Sequence, residues 1–241
     1  MQITEYILDR INRLPLGYVF TYDDFDIQAD KQAAMVKALN RLVQDGRIKR
    51  ISPGRFYKPR ISDFGELKPE IFQTVKDLLE QDGKIIGYLT GYAVYNQLGL
   101  TTQVPAIIQI GVNIPRKNLK RGIYRIRFIK QPNRITRGAI PLMRILDAIR
   151  NIKDIPGANV EQSCRTLKGL ISRFTIEDQN MFLSLATKYN PATRALAGAL
   201  YEISFGDGAA GNLWRTLNPL STYKIGATEE TLPNKLKWKI V

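Results

Sequence analysis

The N-terminal fold is decided by residues 47–58, which read RIKRISPGRFYK. Two short β-prone runs flank the turn sequence Ser52-Pro53-Gly54, so this stretch is predicted to form a β-hairpin. The hairpin carries several cations, and it lies in a window, Gly46–Ser62, that contains no Asp or Glu. A window of one charge sign is typical of a surface that binds a polyanion.

Three helices are predicted before the hairpin. The first follows from apolar residues at helical spacing, Ile3, Ile7, Ile11 and Leu14. The capping box formed by Thr21 and Asp24 predicts a short second helix near Asp23–Ile27. Asp30 is predicted to cap the third helix, Lys31 to about Gln44. The buried face of the third helix is predicted to be Met35, Leu39, Leu42 and Val43, and Gly46 is predicted to end it.

Three helices and a basic hairpin follow the order of a winged helix-turn-helix domain, predicted here for residues 1–62. In such a domain the third helix enters the major groove, and the hairpin contacts phosphates. The predicted DNA-binding residues are Lys31, Gln32, Lys37, Arg41, Lys49, Arg50, Arg55 and Lys58. Lys31, Gln32 and Lys37 are expected nearest the base edges, and Lys49 and Arg55 on phosphates. The alternative is a winged helix that only packs against protein.

Composition narrows the function classes for the whole chain of 241 residues. It has no His and a single Cys, which excludes Ser-His-Asp and Cys-His catalysis, His-ligated zinc and Cys-rich zinc sites. No apolar run is long enough to span a bilayer, and the N-terminus lacks the pattern of a secretory signal, so a cytoplasmic protein is expected. The net charge of +14 favours a polyanionic partner, most often nucleic acid.

Residues 63–68 are predicted to be a linker, and residues 69–241 a second domain with a mostly helical C-terminal half. This gives an α/β (α+β) fold class. A helix is predicted from Pro69, and strands at Ala106–Val112 and Ile123–Ile129. Gly83–Leu146 holds 11 basic residues and no acid. A second cationic face is therefore predicted from Arg116, Lys117, Lys120, Arg121, Arg125, Arg127 and Lys130.

Three segments carry a resemblance to a known family. The runs GYLTGYA (87–93) and LGLTTQVP (98–105), followed by the strand Ile107–Val112, resemble the core motif of AbiEi-type antitoxins. LNPLSTYKIG (217–226) resembles a C-terminal motif of one branch of that group. The resemblance implies a winged helix that represses its own operon by binding double-stranded operator DNA. It also implies a second domain that counteracts a nucleotidyltransferase-like toxin without a stable complex. The alternative is an orphan regulator, a repressor of this kind that has no cognate toxin.

Other motifs do not indicate an enzyme. Gly206–Gly211 matches G-x-G-x-x-G but follows a predicted helix, and Ser221–Lys224 matches S-x-x-K without its companion motifs. No carboxylate cluster that would hold two metals is evident, and Cys164 is predicted to be a buried apolar residue. The sequence therefore predicts no catalytic residue, metal or cofactor. Two alternatives stay open: an enzyme acting on RNA or nucleotides with the central basic strand as its phosphate platform, and an RNA-binding protein.

Overall fold

The computed structural model describes residues 3–63, 65–103 and 106–241. Met1, Gln2, Phe64 of the predicted linker, and Val104 and Pro105 of the second antitoxin-like run lie outside the described residues. The chain divides into two compact units. The first comprises the residues up to Asp77 together with Lys120–Tyr124, and the second comprises Leu78–Leu119 together with Arg125–Val241.

The first unit is a helix pair with small sheets. Its elements are α1 (Ile3–Arg13), β1 (Val19–Thr21), two 3-10 turns (Tyr22–Asp24 and Ala29–Lys31), α2 (Gln32–Gln44), β2 (Lys49–Ser52), β3 (Arg55–Tyr57), β4 (Arg60–Ser62), β5 (Gly65–Leu67) and α3 (Ile71–Leu79), whose last two residues belong to the second unit. β3 pairs antiparallel with both β1 and β2, so the predicted hairpin is confirmed. The sequence did not predict β1.

The prediction of a second helix at Asp23–Ile27 is wrong. The capping box is present, with the Thr21 amide donating to the Asp24 carboxylate at 2.7 Å, but it caps only a 3-10 turn. The chain is already extended at Phe25, whose buried ring packs edge-on to Phe20 in the core. Asp30 does not cap α2 either, because the second 3-10 turn runs directly into that helix.

The core of the first unit forms between α1, α2 and the three-stranded sheet. α2 buries Met35, Ala38, Leu39 and Leu42, while Val43 is partly buried. They pack with Ile7, Ile11, Phe20 and Phe56. At the end of α2, Gly46 adopts a positive φ of 71°, a conformation that favours glycine, as the sequence predicts.

The segment predicted as a linker is ordered into a second hairpin. β4 and β5 pair antiparallel, with Ile61 opposite Glu66. This linker prediction is wrong for Gly65–Leu67, because the backbone groups of that short polar run pair with β4. The next helix begins at Ile71 and not at Pro69.

The second unit combines a sheet with a helical C-terminal part. Its elements are β6 (Glu80–Gln81), β7 (Lys84–Ile85), β8 (Tyr88–Thr90), α4 (Tyr92–Tyr95), β9 (Ile107–Val112), β10 (Leu119–Arg121), β11 (Tyr124–Lys130), α5 (Ala139–Arg150), a 3-10 turn (Ile152–Asp154), α6 (Val160–Ile171), α7 (Ile176–Ala186), α8 (Pro191–Phe205) and α9 (Gly211–Trp214). Of these strands, Lys120 and Arg121 of β10 and Tyr124 of β11 belong to the first unit. β9 and β11 lie within one residue of the predicted strands and pair in parallel, whereas β8 joins β9 antiparallel.

The predicted helical C-terminal half is confirmed. Thr175 and Asp178 form the predicted capping box of α7, and Asn190 caps α8 with Pro191 in its first turn. The core beneath these helices contains Cys164, which is fully buried as predicted. The buried indole of Trp238 packs against α8 at Gly198, where a Cβ would meet the ring at 2.1 Å.

Candidate nucleic-acid interface

One face of α2 is cationic and exposed. The helix contains no Asp or Glu, and the side opposite its buried residues exposes Ala33, Ala34, Lys37, Arg41 and Gln44. Lys31 and Gln32 are exposed at its start. Within the part of the chain that the structure describes, Lys31, Lys37 and Arg41 form no salt bridge. Their charges are therefore available to a partner from solution.

The hairpin extends this face through Arg50. The Arg50 guanidinium donates to the Asn40 side-chain oxygen of α2, and its carbon lies 5.3 Å from the centroid of the buried Phe56 ring. These two contacts hold β2 beside α2 while Arg50 itself stays exposed. The side chain of Lys49, the residue before it, is 44% exposed, and its Nζ forms an ion pair with Glu66 Oε2 at 3.7 Å, a distance too long for a hydrogen bond. We call Lys31, Gln32, Lys37, Arg41, Lys49 and Arg50 the helix–hairpin surface.

The other two predicted DNA-binding residues already have intramolecular partners. Arg55 Nη2 lies 2.7 Å from Asp77 Oδ2 in a partly buried ion pair. Lys58 Nζ donates to the carbonyl oxygens of Asn12 and Leu14 at 2.9 and 3.2 Å. Asn12 lies in the last turn of α1 and Leu14 directly follows that helix, so Lys58 lies at the negative end of α1. Both side chains stabilise the first unit in this geometry.

Asp77 also binds Arg121, the only buried member of the predicted second cationic face. Arg121 is 4% exposed; its guanidinium reaches both Asp77 oxygens and donates to the Thr74 carbonyl at 2.9 Å. Burial alone would raise the pKa of Asp77, but the hydrogen bonds and charges of Arg121 and Arg55 outweigh it and lower that pKa. The expectation that Arg121 belongs to an exposed face is wrong, because its charge is taken up inside the first unit.

The remaining residues of the predicted second face are exposed. Lys120 belongs with the first unit, and the others belong with the second: Arg116, Lys117, Arg125, Arg127 and Lys130. Arg125 and Arg127 alternate with buried Ile126 along β11, as predicted. Successive side chains of a strand point to opposite faces, and Lys130 is four residues after Ile126. Lys130 therefore lies on the Ile126 side of the sheet, opposite the two arginines. Its assignment to their face is wrong.

The antitoxin-like run GYLTGYA builds a buried polar cluster that the sequence did not predict. The hydroxyls of Tyr88, Thr90 and Tyr189 donate to the Asp147 carboxylate at 2.5, 2.6 and 2.9 Å. The Gln131 amide donates to both tyrosine oxygens, at 2.8 and 2.9 Å. Because each tyrosine hydroxyl accepts from Gln131, its own proton is directed to Asp147. We call these five residues the Asp147 network.

Burial governs the electrostatics of this network. Loss of hydration raises the pKa of Asp147, and the three hydroxyl donors partly offset that effect. Burial also raises the pKa of Tyr88 and of Tyr189. The sequence contains a signal for the buried position of Asp147. This residue directly follows an acid-free segment, and it lies on the apolar stripe of α5, four residues after buried Met143.

The glycines of the run and of β9 make room for these contacts. At Gly111 a Cβ would lie 2.3 Å from the Tyr88 ring, so only glycine lets this ring cross the sheet. Gly91 has a φ of 60°, and the Gln109 side chain fills the space where a Cβ would stand. Gln109 in turn accepts from the Tyr92 amide at 3.1 Å. These residues of the GYLTGYA run and of β9 thus serve packing in this structure.

The two motifs that imitate enzyme sites have structural roles. Gly206–Gly211 follows helix α8, and the Gly208 amide donates to Glu202 at 3.0 Å. Glu202 is buried and also accepts from Lys237 and Trp238, so a carboxylate occupies the position that a phosphate would need. In the second motif, the Tyr223 amide donates to the Lys239 carbonyl at 2.7 Å.

Within residues 3–63, 65–103 and 106–241, no group of three or more Cys, Asp or Glu side chains is arranged to hold a metal ion. Over the same ranges, no helix is both long and apolar enough to cross a membrane.

Comparison with known proteins gives a family and a fold. A family model described as "Family of unknown function (DUF6088)" matches residues 6–178. The crystal structure of the Rv2827c protein from Mycobacterium tuberculosis is similar, with a TM-score of 0.60 and 12% sequence identity, over 91% of this chain and 83% of that chain. At this identity the similarity shows a shared mixed α+β fold and nothing about activity. No curated protein matches this sequence.

Proposed function

The chain belongs to the DUF6088 family, a family of unknown function, and we propose that it is a DNA-binding transcriptional repressor and antitoxin of the AbiEi kind. In this proposal the first unit is a winged helix-turn-helix domain that binds operator DNA. The second unit acts against a nucleotidyltransferase-like toxin. The two roles rest on different observations.

The element order of the first unit supports a winged helix. α1, β1, α2 and the β2–β3 hairpin follow in the order expected, with β3 central in the sheet β1-β3-β2. The departure is the helix between β1 and α2, which is reduced to two 3-10 turns. This shortening leaves α2 and the hairpin intact, and these are the two elements that contact DNA in such domains.

The observation that carries the DNA proposal is the helix–hairpin surface. α2 has the diameter of about 10–12 Å that fits a major groove about 12 Å wide. The exposed face of α2 is free of carboxylates, and Arg50 is held beside it by Asn40 and Phe56. A randomly solvated set of cations would not need such an anchor, whereas a phosphate contact benefits from a side chain already in place.

The test is binding of the full chain to three labelled probes of equal length. These are the duplex upstream of its own gene, a scrambled duplex and a single-stranded RNA, each measured from 50 to 200 mM salt. The proposal expects the tightest binding to the upstream duplex, with log K falling linearly with log salt. Preference for the RNA would support the RNA-binding alternative. Magnesium-dependent turnover of the RNA or of a nucleotide would support the enzyme. Each result would contradict the repressor.

For the antitoxin role, the supporting observation is the pair Arg125 and Arg127, exposed side by side on β11. A cationic strand of this kind attracts an anionic substrate or product of a nucleotide-transferring toxin. The resemblance to AbiEi-type antitoxins supplies the functional class, and the orphan regulator stays the variant without a toxin. A nucleotidyltransferase-like reading frame beside this gene is the expected genomic context.

Charge reversal separates the two roles. The double change Arg125→Glu and Arg127→Glu is expected to abolish rescue of growth from the toxin while promoter repression stays near normal. Both side chains are exposed, so the melting temperature should change little. The matched control is Lys188→Glu with Lys224→Glu, two exposed cations elsewhere in the second unit, which should keep both activities. Full rescue with lost repression would instead assign β11 to DNA and contradict the antitoxin role.

A further inference from the structure

Resting on the proposed DNA binding, we infer that α2 reads thymine through Ala33 and Ala34. Both alanines are exposed on the outer side of the helix, between the start of α2 and its two cations. The inferred contact is between each alanine methyl and the C5-methyl group of a thymine in the major groove. The preferred DNA would therefore contain A·T pairs beneath the first half of α2.

Helical geometry selects these residues. Successive side chains are about 100° apart around the axis, so Ala33 lies about 40° and Ala34 about 60° from Lys37, on its two sides. Arg41 also lies about 40° from Lys37 around the helix axis, on the same side as Ala34, and so it too faces outward. The buried residues Met35, Leu39 and Leu42 occupy the opposite side. The two alanines therefore share the outward face with the cations.

The same geometry moves Gln32 away from the centre of that face. It lies about 140° from Lys37, so its exposure comes from its position as the first residue of the helix. The sequence alone places Gln32 among the residues nearest the base edges. The orientation of α2 in the first unit favours the two alanines in that place.

The chemistry of the alanines specifies the base. An alanine side chain has no hydrogen-bonding group and cannot reach a phosphate across a neighbouring cation. The apolar atom that base edges present in the major groove is the thymine C5-methyl, and alanine is one of the residues that contact it. Because uracil lacks this methyl, the contact would also favour DNA over RNA. Good helix propensity is the other reason to find alanine on a helix surface, and the experiment distinguishes the two.

The experiment begins with selection of a preferred duplex by the full chain. Each thymine of that duplex is then replaced by deoxyuridine, one at a time, which removes the C5-methyl and nothing else. We expect one or two positions at which the replacement weakens binding about fourfold, the value of one buried methyl-sized group. In the Ala33→Gly or Ala34→Gly variant, deoxyuridine at the position that the removed alanine methyl contacted should no longer weaken binding. Because each variant is compared with itself on the two duplexes, a general loss of stability cancels.

Gln162→Ala, at an exposed side chain of α6 in the second unit, is the control variant and should retain both sensitive positions and the selected sequence. The inference is overturned if no deoxyuridine position weakens binding, if the glycine variants keep the full effect, or if Gln32→Ala changes the preference instead. In those cases salt-dependent duplex binding would persist, so the proposed function would stand. Loss of salt-dependent duplex binding altogether is a different result, which overturns the proposed function and this inference with it.

Discussion

The helix–hairpin surface and the Asp147 network use polar residues in opposite ways. In the first, the cations of α2 stay in solvent, while on β2 Arg50 is anchored by Asn40 and Phe56 and half-exposed Lys49 forms an ion pair with Glu66. In the second, a carboxylate with 4% exposure is surrounded by three hydroxyl donors inside the core. The comparison shows that the residues most recognisable as a motif build structure here. The residues proposed to bind DNA lie outside that motif.

Removing the centre of the network tests its structural role with the largest expected effect. Asp147→Ala leaves the hydroxyls of Tyr88, Thr90 and Tyr189 buried without their acceptor. The free energy of unfolding should fall by about 3 kcal/mol or more, because each buried unsatisfied group costs about 1–3 kcal/mol. Urea unfolding of the two proteins measures this loss. Asp154→Ala, at an exposed carboxylate near the end of α5, should change stability by less than about 0.5 kcal/mol. Equal effects of the two changes would mean that the network does not stabilise the second unit.

Crowding the network from the sheet side should have a smaller effect. Gly111→Ala places a methyl 2.3 Å from the Tyr88 ring, so the ring or the strand must move. We expect a loss of about 1–3 kcal/mol, typical of overpacking. In Gly169→Ala on α6, nothing lies within 4 Å of the new methyl. That control should be neutral or stabilise by up to about 1 kcal/mol. A thermal shift of the same sign and size in both variants would contradict the close contact between Gly111 and Tyr88.

Arg55 sharpens the comparison at the hairpin. Its sequence position predicts a phosphate contact, so Arg55→Ala would lower the salt slope by about one unit. Its ion pair with Asp77 predicts instead a loss of about 1 kcal/mol in stability and an unchanged slope. Arg47→Ala, at an exposed cation just before β2, serves as the stability control. A full unit lost from the slope of Arg55→Ala would show that the guanidinium leaves Asp77 to bind DNA.

Local features of the fold were predictable and long-range ones were not. Several features depend on residues only a few positions apart, and all of them were confirmed. They are the buried stripe of α2 and the glycine at its end, the β2–β3 turn, and the caps of α7 and α8. The short second helix failed because Phe25 packs into the core with Phe20 and stops the turn. The β4–β5 pair was missed because each strand has only three residues, too few for a periodic pattern of apolar and polar residues to be recognised.

The candidate sites divide in the same way. Exposed cations on α2 and β11 follow from periodicity and from the absence of acids, so the sequence located them. The pairing of Asp77 with Arg121 joins residues 44 positions apart, and the Tyr88–Asp147 hydrogen bond joins residues 59 positions apart. Neither is visible without the fold. The first explains why the assignment of Arg121 to an exposed cationic face is wrong.

The most direct test of DNA binding by the first unit compares the salt slopes of two double variants of the full chain on the same duplex. Lys49→Ala with Arg50→Ala removes two cations of β2, and Arg125→Ala with Arg127→Ala removes two of β11. If the hairpin lies against phosphates, the first pair should lower the slope of log K against log salt by about 1.8 units, or about 0.9 per contact. The β11 pair should leave the slope unchanged. A slope that falls for the β11 pair and stays constant for the β2 pair would contradict the account.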